Sequence, residues 1–333
     1  MTNFDSVGDD FLYIFLHLPK CAGTHFARTI MYNWSLQECL MVSPSIRRPL
    51  RRREDVDAYI RSVSASRRED VRFLYGHAVY YGIHEHFDRP ARYITFLRDP
   101  LSRLVSNFLH VRKHFDYFTA EGVQKLPHTV DDLTIGWWLQ HSQLNLQTAM
   151  ILNYLNDGGA GWSPGVQVDA PHLARAQAVL DDFYFVGLYE TYDEDALFLF
   201  RELRIERRLV DRQNVAREDG DVSSNFDTNA VKAAMALDRQ LYTHARTLNG
   251  AFKREVRAFD DIVSQAREDM RPVRPLRYVL INQFERLLGQ RRALASIEAA
   301  TECVKRIVGK ENVARFVKRL HRRRSERPRR RGG

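Results

Sequence analysis

The sequence predicts an α/β fold in which helices flank a parallel β-sheet on both faces, so that the domain has three layers. Short apolar runs rich in aromatic and β-branched residues alternate with longer segments whose apolar residues recur at helical spacing. Strands that alternate with helices pair in parallel through right-handed crossovers. The runs predicted to be strands are residues 11–18, 71–75, 92–97 and 183–188.

The first strand leads into a short turn with the composition of an anion site. Pro19 ends the apolar run, Lys20 and Gly23 follow, and Thr24 is predicted to cap a helix. Backbone N–H groups at a helix N-terminus attract anions, and a lysine adds a full positive charge. The pattern is not a Walker loop, which needs GxxxxGK[ST]. A plain strand–helix connection with a surface lysine fits these residues equally well.

Two further strand ends carry residues of similar chemistry. The strand at 71–75 is followed by Gly76 and His77, and the strand at 92–97 is followed by Arg98. Asp99 is predicted to cap the next helix, with Pro100 at its first position. Because parallel strands end at one edge of a sheet, Lys20, His77 and Arg98 are expected to gather there. An ion pair with Asp99 is the simpler explanation of Arg98 alone.

The remaining helices are predicted from apolar spacing. A long helical region is expected at 130–155, a surface loop at 158–171, and a long helix at 229–259. A Pro/Arg linker is expected at 271–275.

The net charge of +9 is concentrated in one tail of the chain. Of the 51 Lys/Arg and 42 Asp/Glu residues, ten basic residues and one acidic residue lie from Arg315 to the end, which leaves 41 of each elsewhere. The folded part is therefore neutral. Because a nucleic-acid-binding fold needs a basic face of its own, no specific nucleic-acid partner is predicted.

The termini and the cysteines predict a cytoplasmic protein. The first ten residues are polar and acidic, unlike a signal peptide, and no apolar run approaches the roughly 20 residues needed to cross a bilayer. Cys21, Cys39 and Cys303 show neither a paired framework nor a CxxC spacing. They are expected to be free thiols.

Two segments, with a third between them, resemble a known family. HLPKCAGTH is similar to HIPKTAGTS, and FLRDPLSRLVSNFLH to FLRDPxxRxxSxYxH, of the membrane-type carbohydrate sulfotransferases, which include the heparan sulfate 2-O-sulfotransferase type. YGHAVYYGIH resembles the family's GH segment, and FYFVGLYETYDEDALFL its late strand–helix unit. The resemblance covers about residues 13–259 in the family's order.

The resemblance implies a P-loop-kinase-like sulfotransferase fold and 3′-phosphoadenosine-5′-phosphosulfate (PAPS) as sulfuryl donor. Lys20 would contact the bridging oxygen, and His77 matches the family's general base. Arg98 and Ser106 match positions that hold the 3′-phosphate. The residues expected to bind the donor are Pro19, Lys20, Cys21, Ala22, Gly23, Thr24, His25, Arg98, Ser106, Arg212 and Asn214. Those expected to face the acceptor are His77, Asn145, Gln147 and Glu190.

Two positions depart from the family pattern. Cys21 replaces a common threonine, at a position that can act through its backbone. His25 replaces the usual serine, so either one hydroxyl donor to the 5′-phosphate is lost or an imidazole takes its place.

The resemblance, together with a change of composition after Asp269, predicts a domain organisation. Residues 1–270 are the predicted sulfotransferase domain, 271–320 a basic helical extension, and 321–333 a disordered Arg-rich tail. The extension and tail are either a solvated charge run or a contact to an anionic membrane surface or polyanion.

The predicted acceptor is a hydroxyl of a saccharide or glycolipid, and the scheme requires no metal. The pairs His84/His86 and His110/His114 lack a carboxylate at a known zinc spacing. Two other functions remain open. One is a P-loop-like kinase or NTPase, which needs Mg²⁺. The other is a non-enzymatic module that binds anions or membranes through the tail.

Overall fold

A five-stranded parallel sheet forms the centre of the fold in the computed structural model, which describes residues 11–35, 37–44, 50, 52–120, 126–152, 167–210, 225–226 and 228–273. The strand order is β2-β3-β1-β4-β5. The strands are β1 (Leu12–Leu16), β2 (Cys39–Met41), β3 (Phe73–Gly76), β4 (Ala91–Leu97) and β5 (Phe185–Leu188). A separate parallel pair is formed by β6 (Arg207–Leu209) and β7 (Arg271–Val273).

Helices connect these strands. In the first half of the chain they are α1 (Gly23–Asn33), α2 (Arg53–Ser62), α3 (Ala65–Asp70), a 3₁₀ turn (Ile83–His86), α4 (Pro100–Lys113) and α5 (Phe115–Ala120). In the second half they are α6 (Ile135–His141), α7 (Leu146–Ile151), α8 (Ala170–Asp181), α9 (Tyr192–Glu202), α10 (Asn229–Ala234), α11 (Ala236–Glu255) and α12 (Phe259–Asp269).

The core lies on both faces of the sheet. All residues of β1 are buried, as expected for a central parallel strand covered by helices on either side. On one face Phe26 of α1 packs edge-on against Phe15 and Phe96, with ring centroids 4.9 and 5.2 Å apart. A second cluster joins α4 to α6, with Phe108 edge-on to the buried Trp138.

The predicted fold class is confirmed, and four predicted strands are present. The cap of α4 is also as predicted, because Asp99 accepts a hydrogen bond from the Ser102 amide and Pro100 is the first helical residue. The short β2 was not predicted from the sequence. Three apolar residues are too few to show a period.

Several predicted boundaries are wrong. Thr24 does not cap α1, because the helix begins at Gly23 after Ala22. The helical region at 130–155 contains α6 and α7, and the helix at 229–259 is divided at Met235 between α10 and α11. Arg271–Val273 is a strand paired with β6 rather than part of a linker.

Other predictions lie wholly or partly outside the described residues. They concern the surface loop, most of which falls at 153–166, and the basic extension and tail beyond Val273, so the domain organisation stays a prediction. Cys21 and Cys39 are free thiols, and Cys303 is outside the described residues. Within the described ranges no helix is long and apolar enough to cross a membrane.

The sheet reverses its strand order at β1. The chain passes from β1 to β2 and returns to pair β3 with β1, then crosses to the other side to form β4 and β5. Open α/β sheets bind ligands beyond the carboxyl ends of their strands at such a point. The segments after β1, β3, β4 and β5 therefore surround the expected site.

Candidate active site

The β1–α1 loop, residues 17–22, contains two non-glycine residues with positive φ, a feature of anion-binding nests. Lys20 and Ala22 have φ angles of 68° and 64°, which L-residues with a side chain rarely adopt. Alternation of left- and right-handed residues turns successive N–H groups towards one concavity. Ala22 is also the N-cap of α1, and no side chain caps the helix there. Strained backbone outside glycine is concentrated at functional sites.

Gly23 is required because the first turn of α1 lies directly on aromatic rings. A Cβ atom at this position would lie 2.2 Å from Cδ2 of His17 and 2.7 Å from Cζ of Phe15. Phe15 and His17 alternate along one strand, so both rings lie on the face that α1 covers. The imidazole of His17 therefore lies directly under the first residue of α1.

His77 lies beside His17 because of the strand register. Leu16 of β1 pairs with Gly76 of β3, so the residues that follow are neighbours. Gly76 has φ 144°, and a Cβ there would lie 2.1 Å from the carbonyl oxygen of Val42. The glycine thus allows the chain to turn at the end of β3 and places His77 over His17.

The tautomer of His77 follows from its hydrogen bond. Its Nδ1 lies 2.8 Å from the main-chain oxygen of His17. A carbonyl oxygen only accepts, so Nδ1 carries the proton and Nε2 keeps a lone pair in the neutral ring. Burial lowers the pKa of His77 below its ordinary value, and the bond to His17 partly opposes that shift. The neutral form therefore persists to lower pH than in an exposed histidine.

Lys20 and Arg98 come together at this edge of the sheet. Burial, and next the Arg98 guanidinium, lower the pKa of Lys20 to about 8. Arg98 is 6% exposed, donates from Nη1 to the carbonyl oxygen of Lys20 at 3.3 Å, and lies 3.9 Å over the ring of Tyr189. The structure thus places Lys20 against Arg98, at the same edge of the sheet as His77. The Asp99 carboxylate caps α4 by accepting from the Ser102 amide, and the pairing of Arg98 with Asp99 stays an alternative.

Gln147 holds the main chain of Arg98 in place. Its Oε1 accepts from the Arg98 amide at 3.0 Å, and its Nε2 donates to the Arg98 carbonyl at 3.0 Å. The same Oε1 lies 3.7 Å from the thiol of Cys21 in the β1–α1 loop. Gln147 was expected to face the acceptor, but it is 1% exposed and its amide is engaged by protein. Gln147 therefore links the residue after β4 to the β1–α1 loop.

Asn145, also expected to face the acceptor, takes part in a reciprocal cap between α7 and α11. Its Oδ1 accepts from the Asp238 amide, and its Nδ2 donates to the carbonyl of Ala234. The fully buried Asp238 carboxylate accepts from the amides of Gln147 and Thr148 and from the Thr148 hydroxyl. Burial raises the pKa of Asp238, and the nearby Arg103 opposes that shift.

His25 binds protein groups through both ring nitrogens. Nε2 lies 2.8 Å from the carbonyl oxygen of Leu209, so Nε2 carries the proton, and Nδ1 accepts from the Tyr192 hydroxyl at 2.7 Å. Asn33 adds a second link to the same strand, because its amide bonds both main-chain groups of Arg207. The residue that replaces the usual serine therefore links α1 to β6 and α9, and its contact with the donor stays a prediction.

Glu190 supports the start of α4. Its Oε1 accepts from the Asp99 amide at 3.0 Å, and its carboxylate bonds the hydroxyl of Tyr242. Glu190 is exposed, and its acceptor-facing role stays a prediction.

The other residues predicted to bind the sulfuryl donor lie partly in helices and the β1–α1 loop and partly outside the described residues. Ser106 is 4% exposed on α4, and Thr24 is the second residue of α1. Cys21 is buried, which raises the pKa of its thiol to about 12, and the thiol donates to the carbonyl of the buried Pro19. Arg212 and Asn214 lie outside the described residues.

The histidine pairs have protein neighbours. His84 contacts the hydroxyl of Tyr93, and His86 pairs with Asp57. His110 and His114 pack edge-on at 4.8 Å. Within the described ranges, no group of three or more His, Cys, Asp or Glu residues is placed to hold a metal ion.

Three residues of the site were missed from sequence. Tyr189 follows β5, so the rule that identified Lys20, His77 and Arg98 at strand ends also applies to it. The signal for His17 was its place two residues after Phe15, directly after the end of β1. Asp238 gave no signal, because its partners lie about 90 residues away in sequence.

Gly23→Ala is expected to lower the free energy of unfolding by about 1–3 kcal/mol, because the added methyl group overlaps the rings of His17 and Phe15. Urea titration measures the change. The matched control is Gly136→Ala in α6, where the nearest atom to an added Cβ is 3.9 Å away. Equal losses in the two variants would show that the contact at Gly23 is not tight.

Gln147→Ala is expected to destabilise the fold by about 1–3 kcal/mol, because it leaves the buried amide and carbonyl of Arg98 unpaired. The control is Gln240→Ala, an exposed position on α11 expected to change stability by less than about 0.5 kcal/mol. A neutral effect at Gln147 would mean that water replaces its amide.

The comparisons with known proteins give a family and one similar solved structure. No curated protein matches the chain. A crystal structure of mouse sulfotransferase SULT7A1 complexed with PAP is similar at 13% identity over 79% of this chain and 90% of that chain, with a TM-score of 0.31, too low for comparison residue by residue. The model of the sulfotransferase family matches residues 6–260, which include the loops after β1, β3, β4 and β5. The chain therefore belongs to the sulfotransferase family.

Proposed function

We propose that the protein transfers a sulfuryl group from PAPS to a hydroxyl of a saccharide or glycolipid. The observation that carries the proposal is the meeting of Lys20, Arg98 and His77 around a positive-φ nest at the point where the sheet reverses. Two cations and a row of amides suit a polyanionic donor, and a neutral imidazole beside them suits the removal of a proton from a hydroxyl. Family membership supports the same chemistry.

The donor would bind with its 5′-phosphosulfate at the start of α1. The amides of Gly23 and Thr24 lie in the first turn of that helix, and Lys20 adds its charge. Arg98 would bind the 3′-phosphate together with Ser106. A guanidinium has five N–H donors in a planar fork, a shape that suits a phosphate.

In the transfer step the bond between sulfur and the bridging oxygen breaks as the acceptor oxygen bonds to sulfur. The bridging oxygen keeps the electron pair and remains on the nucleotide, and Lys20 stabilises its charge. Nε2 of His77 accepts the proton of the acceptor hydroxyl. This scheme needs no metal. The acceptor, the cytoplasmic location and the contact of the tail with an anionic surface stay predictions.

Calorimetry with 3′-phosphoadenosine 5′-phosphate (PAP) tests the donor class on the full chain. We expect binding without added metal that is lost in Lys20→Ala. ATP with and without Mg²⁺ is the comparison, because a kinase or NTPase would bind ATP in a magnesium-dependent way. Absence of binding to PAP at high micromolar concentration would contradict the proposal. Loss of binding on deletion of the residues from Arg315 onward would favour the non-enzymatic module.

The affinity for PAP is expected to fall as the pH rises above about 8. The folded-state pKa of Lys20 is lowered to about 8, so the free protein loses this charge above that pH, whereas bound phosphate favours the charged lysine. The expected loss approaches about tenfold per pH unit. Lys20→Arg keeps its charge and should give a flat profile between pH 7 and 9. The same slope in both proteins would assign the titration to another group.

His77→Ala is expected to keep the affinity for PAP and to lower sulfuryl transfer by about 10²–10⁴-fold, the usual contribution of a general base. Labelled donor and a panel of hydroxyl acceptors provide the assay. The exposed His128 supplies the control His128→Ala, which should retain full transfer. Retained turnover in His77→Ala would remove His77 as the base.

A further inference from the structure

A stack of three rings leads from the core to the edge of the sheet where His77 lies. The ring centroids of Phe15 and His17 are 5.4 Å apart with planes 21° from parallel. Those of His17 and His77 are 4.2 Å apart at 27°. The imidazole of His17 therefore lies between a core phenylalanine and the proposed base.

His17 is held in this position from three sides. Gly23 of α1 contacts one edge of its ring, Phe15 covers one face, and the strand ladder continues through the bond from the His17 amide to the carbonyl of Gly76. The residue is 8% exposed. Its ring has little freedom to rotate, so the face that it offers to His77 is fixed.

The ring of His77 is oriented by its contacts with His17. Among the described residues, His17 supplies both the ring stacked on His77 and the carbonyl oxygen that bonds its Nδ1. The Ser43 hydroxyl, after β2, accepts from the main-chain amide of His77. Burial, and next the neighbouring His77, lower the pKa of His17 well below its ordinary value, so His17 is neutral. The surface under His77 is therefore flat and uncharged.

We propose that His17 is a positioning residue for His77. Its ring fixes the plane of the His77 imidazole, and its main-chain carbonyl fixes the proton on Nδ1, so that the lone pair of Nε2 is the one presented to the acceptor hydroxyl. The role of His77 as a base in this inference rests on the proposed function. The stack and the tautomer themselves rest on the geometry alone.

The two parts of this role respond differently to substitution. The main-chain carbonyl remains in every variant at position 17, so the Nδ1–H tautomer of His77 should persist. The ring excludes water from one face of His77, and His17→Phe keeps that cover whereas His17→Ala removes it. Because exposure to water favours the imidazolium, the pKa of His77 should rise only in His17→Ala.

NMR of the full chain with ¹⁵N-labelled histidine tests the proposal without an acceptor. In the wild type we expect the Nδ1–H tautomer of His77 and titration below the ordinary histidine value of about 6.5. His17→Phe should reproduce both, and His17→Ala should raise the titration midpoint by about one pH unit. His84, whose ring lies edge-on to Tyr93, is the internal control and should not change.

A variant that fails to fold does not prevent the test. If His17→Ala unfolds, His17→Val takes its place, because the smaller side chain keeps part of the packing under Gly23 and still uncovers part of the face of His77. An Nε2–H tautomer in the wild type would overturn the proposal. So would equal midpoints in the wild type and the alanine variant, or a shift in His17→Phe as large as that in His17→Ala.

Calorimetry on the same proteins separates this inference from the proposed function. A wild type that shows the expected tautomer but does not bind PAP would contradict the function and leave the histidine geometry standing. If PAP binds, His17→Ala should keep its affinity while transfer falls about tenfold, and His17→Phe should recover most of that loss. A loss of PAP affinity equal to the loss of transfer would make His17 a donor contact instead.

Discussion

Gly23 lies so close to the rings of Phe15 and His17 that the first residue of α1 cannot carry a side chain. This contact sets the height of the helix above the sheet. It thereby places the open amides of the first turn beside Lys20, and it holds the ring of His17 against His77. The proposed anion site and the proposed base are therefore two results of one packing constraint at the end of β1.

A second set of buried polar groups fixes the residue that follows β4. Gln147 binds both main-chain groups of Arg98, and Asp238 binds the start of the helix that carries Gln147. Each partner is buried, so the bonds are shielded from water and a broken one is costly. The position of Arg98 thus depends on α7 and α11, which contribute no group of their own to the proposed chemistry.

The sequence predicted the strand ends well and the supports poorly. Lys20, His77 and Arg98 follow apolar runs, and parallel strands end at one edge, so their meeting follows from local pattern and topology alone. Gln147 and Asn145 looked like cleft residues because they are polar in a segment resembling a family motif. Their actual partners, Arg98 and Asp238, are 49 and 93 residues away, and local periodicity carries no information about such contacts. The partners of His25 gave no local signal for the same reason, since its bonds reach Tyr192 and Leu209.

The left-handed backbone at Lys20 and Ala22 also has a kinetic consequence. A glycine would adopt these φ angles without strain, whereas a residue with a side chain costs about 1–2 kcal/mol. Glycine would also leave the free loop many other conformations. The surrounding packing keeps the two non-glycine residues in the strained form, so this part of the loop is already shaped before an anion arrives. Association here should accordingly be limited by encounter rather than by loop rearrangement, with the nearby positive charges drawing the ligand in.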